Sequence, residues 1–274
     1  MKSQILTLLL VGTIPAILAV SLDVDIEGCG AEDFSYLKGG ADWEGDCAEG
    51  HHQSPIDIPI NPRSPSPNRG ALEFNDNIDF KEHIDELGEV LVEDRGVTLW
   101  ASLAGKGALT WFDVNGNPDN YDALQFHFHA PSEHTFNGHH YDLEMHIVHK
   151  NNDSGKLAVL AVFFDVAHGG DEHNELIASI KPDDSNPTVD AVPLGQLVDR
   201  LRHTYLYNYQ GSLTTPPCSE IVNWIVTHDV QPISAHQLEA FNKRWLEKEE
   251  EFGGNGNNRH VQPLNDRTIY KRRV

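Results

Sequence analysis

Short runs of alternating apolar and polar residues, bounded by Gly, Asn or Asp, recur along most of this chain. That period of two is the pattern of half-buried strands. Residues 89–92, 97–103 and 109–112 follow it. Residues 157–164 are instead apolar without interruption, which suits a central strand covered on both faces. Asn137-Gly138 is a two-residue hairpin signal and predicts that 133–136 folds back on 141–149. Residues 54–70 carry Pro55, Pro59, Pro62, Pro65 and Pro67, so an irregular arm is expected there. Helical periodicity is sparse. Residues 171–180 and 194–201 are short candidates, and a third begins at Ser234, where Gln237 completes a capping box and Leu238, Phe241 and Trp245 share a face. The 274 residues contain no internal repeat and no Gly/Ser-rich or charged linker, and the Gly/Asn-rich stretch 253–258 reads as a loop. The expected fold is mostly β: a single domain on a large twisted, mainly antiparallel sheet with small peripheral helices.

Two of these strands carry chemistry. In Gln125-Phe126-His127-Phe128-His129 the alternation puts Gln125, His127 and His129 on one face and the two phenylalanines on the other. In the segment from Leu143 to Val148, Glu144, His146 and Val148 share a face, backed by Leu143, Met145 and Ile147. Side by side, the two strands bring three imidazoles to one point. Three neutral nitrogen donors with a fourth position open describe a catalytic zinc site rather than a closed structural one. Gln125 stands two residues before His127 and Glu144 two before His146, placed to accept the second ring N–H of each histidine. The chain has 16 histidines, so partly exposed strand histidines are the plain alternative. The repetition of the polar-partner spacing argues against it.

Around these strands lie Gln53-Ser54-Pro55-Ile56-Asp57, Ser132-Glu133-His134-Thr135, Gly211-Ser212-Leu213-Thr214-Thr215-Pro216-Pro217, Trp224-Ile225-Val226 and Gln262-Pro263-Leu264-Asn265. In that order, from about Phe34 to Ile269, the chain resembles the alpha-class carbonic anhydrases. The resemblance implies a zinc ion on His127, His129 and His146 in a cone-shaped cavity. It implies Gln125 and Glu144 as ring partners, and a backbone carbonyl from near Asn258 for His129. Carbon dioxide would be hydrated reversibly to bicarbonate and a proton by a zinc-bound hydroxide. Thr214 would accept from that hydroxide while donating to Glu133, Val148, Val159, Leu213 and Trp224 would form an apolar wall, and Thr215 would face the outer pocket. The Ser54-Pro55 and Pro216-Pro217 bonds are expected to be cis. One position departs from the family: its fastest members carry a proton-shuttling histidine where Arg95-Gly96-Val97 places valine, which cannot carry a proton. His83, His51 and His52 are candidate substitutes, and slow proton release without buffer is expected.

Lys2 precedes an apolar run from residue 5 to 20, interrupted by Gly12, Thr13 and Pro15, with small residues Ala19 and Ser21 at its end. This reads as a cleaved export signal over 1–21, followed by a flexible lead-in over 22–32 and the catalytic domain over 33–274. The basic end 270–274 has no apolar tail, so a soluble exported product without a stable membrane anchor is expected. Three cysteines allow three pairings. The resemblance to secreted members implies Cys47–Cys218, which leaves Cys29 over. Asn152-Asp153-Ser154 is a glycosylation acceptor pattern. The net charge of −22 argues against a nucleic-acid partner. Acidic stretches over 82–94 and 247–251 lack calcium-ligand spacing and read as solvated faces. No His-Glu-x-x-His pattern occurs, against a peptide-cleaving zinc enzyme, and no pattern specifies an oligomer. The alternative from another class is a non-catalytic relative acting in binding, storage or mineral deposition. Its usual mark is loss of a zinc histidine, and none is lost here.

Overall fold

The structure, a computed structural model, describes residues 34–60, 63, 66–85, 89–185, 187–189, 191–201 and 205–273. The expected export signal, the lead-in and Cys29 lie outside them.

The described strands, in chain order, are β1 (Asp57–Ile58), β2 (Leu72–Phe74), β3 (Asp79–Ile84), β4 (Val90–Asp94) and β5 (Leu99–Ser102). Then come β6 (Gly107–Phe112), β7 (Pro118–His129), β8 (Thr135–Phe136), β9 (Leu143–Lys150) and β10 (Leu157–Phe164). The last are β11 (Thr188–Val189), β12 (Tyr205–Gly211), β13 (Val222–Thr227) and β14 (Ile269–Arg273). Among the described residues one large sheet runs β11-β4-β5-β7-β9-β10-β13-β12-β14-β2, with β6 also paired to β7, and β3 to β6. Most pairings are antiparallel. β10–β13 and β14–β2 are parallel.

The apolar run at β10 does lie at the centre: all eight of its residues are buried, with β9 antiparallel on one side and β13 parallel on the other. Alternation then sorts side chains into two cores. Phe126, Phe128, Met145, Ile147, Leu160 and Val162 join one. Val148, Val159, Phe163, Tyr209 and Trp224 join the other, on the histidine face. The helix α1 (Ala235–Arg244) closes the first core, with the Phe241 ring 5.5 Å from that of Phe128. Ser234 and Gln237 form the expected capping box, each side-chain oxygen accepting from the other residue's backbone N–H. Removing the Phe128 ring would cost about 3–5 kcal/mol, because the void would lie behind a strand held on both sides.

Two local expectations change. The Asn137-Gly138 turn forms, with both residues at positive φ, 53° and 79°. Yet the hairpin stops at one bridge, Phe136 to His139. Both edges of β9 are already filled by β7 and β10, so Thr135–Phe136 pairs parallel with Asp57–Ile58 instead. Among the described residues, Asp57–Ile58 is the one regular strand inside the proline-rich arm. The helix expected over 171–180 begins only at Glu175, because the Asn174 side chain accepts from the N–H groups of Leu176 and Ile177 and caps it there. The other short candidate forms as expected, over Leu194–Leu201.

Candidate metal centre

Adjacent strands set the site. In the β7–β9 register His127 lies opposite His146 and His129 opposite Glu144. The three rings crowd together, with centroids 4.7–5.1 Å apart. His129 and His146 are buried, and His127 is half-buried toward a cavity of about 180 Å³.

The outer nitrogen of each ring is held by an acceptor. Nδ1 of His127 donates to Gln125 Oε1 (2.8 Å), Nδ1 of His129 to the backbone carbonyl of Asn257 (2.8 Å), and Nε2 of His146 to Glu144 Oε1 (2.7 Å). An amide oxygen, a carbonyl and a carboxylate can only accept, so each bonded nitrogen carries the hydrogen. The remaining nitrogens, Nε2 of His127, Nε2 of His129 and Nδ1 of His146, are therefore lone-pair donors. They face one another: His127 Nε2 and His146 Nδ1 are 3.3 Å apart, and the three ligand atoms lie within 4.8 Å of one another. Two ligands on a tetrahedral zinc at about 2.0–2.1 Å are separated by about 3.3–3.4 Å. His129 Nε2 is buried without a hydrogen-bond partner. A buried nitrogen lone pair facing two others is what a cation would satisfy, so the donor set fits zinc.

Glu144 anchors the arrangement. Its Oε1 takes His146 and also His134 Nδ1 (2.7 Å), and its Oε2 accepts from the backbone N–H groups of Glu133 and His134, both at 2.8 Å. Burial alone would push the Glu144 carboxyl up, but His134 and His146 beside it hold it well below the usual range. Burial likewise holds His127 well below its ordinary value, with His129 and His146 adding to the effect. It also lowers His129, partly offset by Glu133. Both rings thus favour the neutral, ligating form.

The carbonyl partner of His129 is that of Asn257, the residue immediately before Asn258, near which it was expected. Gly256, at φ 82°, brings the loop so close that a Cβ there would meet the Ala130 carbonyl oxygen at 2.0 Å. That approach lets Asn257 also accept from Ala130 N–H and donate to Val97 and Phe128 carbonyls. Asn258 instead donates its side-chain amide to the Ser132 carbonyl (3.3 Å).

Thr214 lines the cavity, as do Val148, Val159, Leu213, Thr215 and Trp224. Glu133 is fully buried beside His129, its Oε2 lying 3.6 Å from His129 Nε2. Thr214 and Glu133 are not hydrogen-bonded to each other. Glu133 Oε1 accepts from Arg259 N–H (2.9 Å), and Oε2 faces the histidine with no hydrogen bond. Val97 lines the cavity. His83, His51 and His52 do not; His83 contacts Asp85, and the other two share Asp266 Oδ1.

A model of the eukaryotic-type carbonic anhydrase family matches residues 38–273. The chain belongs to that family. A carbonic anhydrase from Klebsiella pneumoniae is 36% identical over 232 residues, 81% of this chain and 81% of its own. The Photobacterium profundum alpha-carbonic anhydrase superposes with a TM-score of 0.63 at 34% identity, covering 84% of this chain and 94% of that one. Dioscorin, solved with ascorbate, superposes with a TM-score of 0.70 at 24% identity over 88% and 98% of the two chains, a likeness of fold alone. Carbon dioxide hydration is the general activity of carbonic anhydrases, and those of the alpha class are zinc enzymes.

The expected disulfide is present, Cys47 to Cys218, with Cα atoms 5.0 Å apart. Ser54-Pro55 and Pro216-Pro217 are cis, and so is Ala130-Pro131, which no sequence pattern announced. Sequence reasoning also missed Arg259. Its guanidinium is buried and donates to Gln53 Oε1, the Ser54 carbonyl and the Cys47 carbonyl, tying the disulfide segment to the loop that supplies Asn257. At the cavity mouth it missed Arg95, which stacks 3.6 Å over the Trp100 ring and pairs with Glu93 at 2.9 Å. The Glu-x-Arg spacing before Trp100 was the available signal. Asn152 stands in an exposed turn between β9 and β10. No described helix is long and apolar enough to cross a membrane.

Proposed function

We propose that His127, His129 and His146 hold a zinc ion and that the chain hydrates carbon dioxide reversibly at that centre. The observation carrying this reading is the facing of three lone-pair nitrogens, each with its other nitrogen committed to an acceptor. Zinc bound by three neutral ligands supplies Lewis acidity that makes water a nucleophile near neutral pH, carbonic anhydrase being the standard example.

The chain's own residues do the rest. Gln125, Glu144 and the Asn257 carbonyl hold the rings in one tautomer and aim. Val148, Val159, Leu213 and Trp224 give the cavity a dry wall suited to a small nonpolar substrate, and Trp224 is locked by its indole N–H to the Ser212 carbonyl (3.0 Å). Thr215 supplies a polar group on the same cavity. Thr214 would serve as the gatekeeping hydroxyl, with Glu133 Oε2, which makes no hydrogen bond in this structure, as the acceptor of its hydrogen bond. Donating to Glu133 Oε2 would leave Thr214 able only to accept from the nucleophile, directing that group's lone pair toward carbon dioxide.

Proton release is the slow part. Val97 occupies the shuttle position, and His51, His52 and His83 stand outside the cavity lining. External buffer carries the proton. The chain acts after export into an oxidising compartment, a reading supported by the disulfide and the N-terminal apolar run. A binding or storage role is disfavoured by the intact histidine set.

The test is stopped-flow hydration of carbon dioxide by the purified protein, before and after chelation, across buffer strengths. Expected are activity that chelation removes and zinc restores, and turnover that climbs with imidazole-type buffer. Absence of hydration by zinc-loaded protein would overturn the catalytic reading. Turnover independent of buffer would overturn the proton-release reading alone.

A further inference from the structure

A second cluster of histidines lies on turns flanking β9 and β10, outside the residues used above. The Asn137-Gly138 turn presents His139, and the turn after β10 presents His168, with Asp165 between them. Each offers one ligand atom, and the three atoms lie within 4.8 Å of one another. The two imidazoles are 4.8 Å apart at 57°, and both lie against Tyr141.

The backbone beneath is fixed. Asp165 is 4% exposed; its Oδ1 accepts from His168 N–H (2.7 Å) and His168 Nδ1 (2.8 Å), and its Oδ2 from Asp142 N–H (3.3 Å). Asp142 answers by accepting from Val166 N–H (2.8 Å). His139 is pinned by reciprocal backbone bonds with Phe136, at 3.0 and 3.1 Å. Two carboxylates therefore stand behind two exposed imidazoles on a rigid floor. The ring of His139 is exposed and makes no hydrogen bond among the described residues, so no hydrogen bond has to break for it to turn. Asp165 Oδ1 and His168 Nδ1, hydrogen-bonded at 2.8 Å, would move apart by about 0.6 Å to reach the ligand–ligand spacing of a tetrahedral shell whose bonds are about 2.1 Å long. A cation replacing the Nδ1 hydrogen shifts His168 to its other tautomer, whose N–H meets solvent, and rotation of His139 completes a third ligand.

We propose that His139, Asp165 and His168 form a second metal site, for a borderline divalent transition ion such as Zn²⁺. Two imidazoles and one carboxylate select that class over Ca²⁺ or Mg²⁺, which take all-oxygen shells. Solvent fills the remaining positions. The bound ion clamps the Asn137-Gly138 turn to the turn after β10. This site does not depend on the catalytic reading.

The experiment is equilibrium dialysis of the full chain against buffered Zn²⁺, followed by metal analysis. It compares wild type, His139→Ala, His168→Ala and, separately, His129→Ala. Both loop histidines are exposed, so their removal is expected to leave folding intact, which circular dichroism checks. Wild type should bind a second equivalent. His139→Ala and His168→Ala should each weaken that equivalent by about tenfold or more while hydration stays within about twofold. His129→Ala should lose the first equivalent and keep the second. Zinc should also raise the melting temperature of His129→Ala, and adding His139→Ala to that variant should abolish the rise. A single equivalent in wild type overturns the proposal. So does a second equivalent that both loop variants retain, which would place the ion elsewhere, for instance on His51 and His52.

Discussion

The two histidine clusters are built from similar donors and prepared in different ways. In the strand cluster, β7 and β9 dictate where each ring starts, and Gln125, Glu144 and Asn257 lock each ring's second nitrogen. In the loop cluster Asp165 holds His168, while the His139 ring stands exposed with no hydrogen bond among the described residues. Side-chain entropy is thus already spent in the first and still to be lost in the second. A preorganised set suits an ion that must stay put through turnover, and an adjustable one suits an ion that comes and goes with its concentration.

The largest expected contrast comes from deleting one ring in each cluster. His129→Ala should abolish tight zinc binding at the proposed centre and lower hydration by more than about 10³-fold. His139→Ala should leave hydration nearly unchanged. Equal losses, read by stopped flow and metal analysis, would erase the distinction.

Next in size is Glu144→Ala. It strips an acceptor from His134, His146 and two backbone N–H groups in a site with no exposure. A stability loss of about 3–5 kcal/mol in urea is expected, with zinc affinity down about 10- to 100-fold. Gln125→Ala, which frees one half-buried ring only, should show the affinity loss with little change in the urea midpoint. Indistinguishable midpoints for the two variants would mean that the Glu144 network is not the anchor.

Val97→His tests the mouth of the cavity rather than its floor. Turnover in weak buffer should rise by roughly tenfold, with no gain in strong imidazole-type buffer. A gain at both buffer strengths would point to something other than proton transfer.

The smallest effect is in pH. His127 and His129 are held below 6.5 by burial, so as pH falls past that value the unfolded chain takes up their protons before the folded chain does. Stability of the metal-free protein is therefore full above about pH 6.5 and declines below it. Glu144, held below 4.5, adds a further loss in stronger acid. The midpoint in urea should drop between pH 7 and pH 5, and a rise over that interval would contradict this account.

How much of this was legible beforehand depended on the range of the interaction. The strand face shared by Gln125, His127 and His129 followed from a period of two, and the start of the Ala235–Arg244 helix from Ser234 and Gln237 three residues apart. Asn257 was placed only to within a residue because its carbonyl reaches His129 only through the close packing of Gly256 on Ala130, a contact across more than a hundred residues. The hairpin at Asn137-Gly138 stopped short because β9 had better partners. Thr214 and Glu133 were expected to be bonded, yet Glu133 turns one oxygen to Arg259 and the other to His129.

Local periodicity, turn chemistry and capping are written residue by residue, so the sequence alone determined the strand character, the faces of the histidines and the mostly β class. Which strands became neighbours, which carbonyl met His129, and that His139, Asp165 and His168 share one corner were decided only in the folded chain. Those outcomes rest on competition among distant partners for a limited set of edges and cavities, and no local pattern encodes the winner.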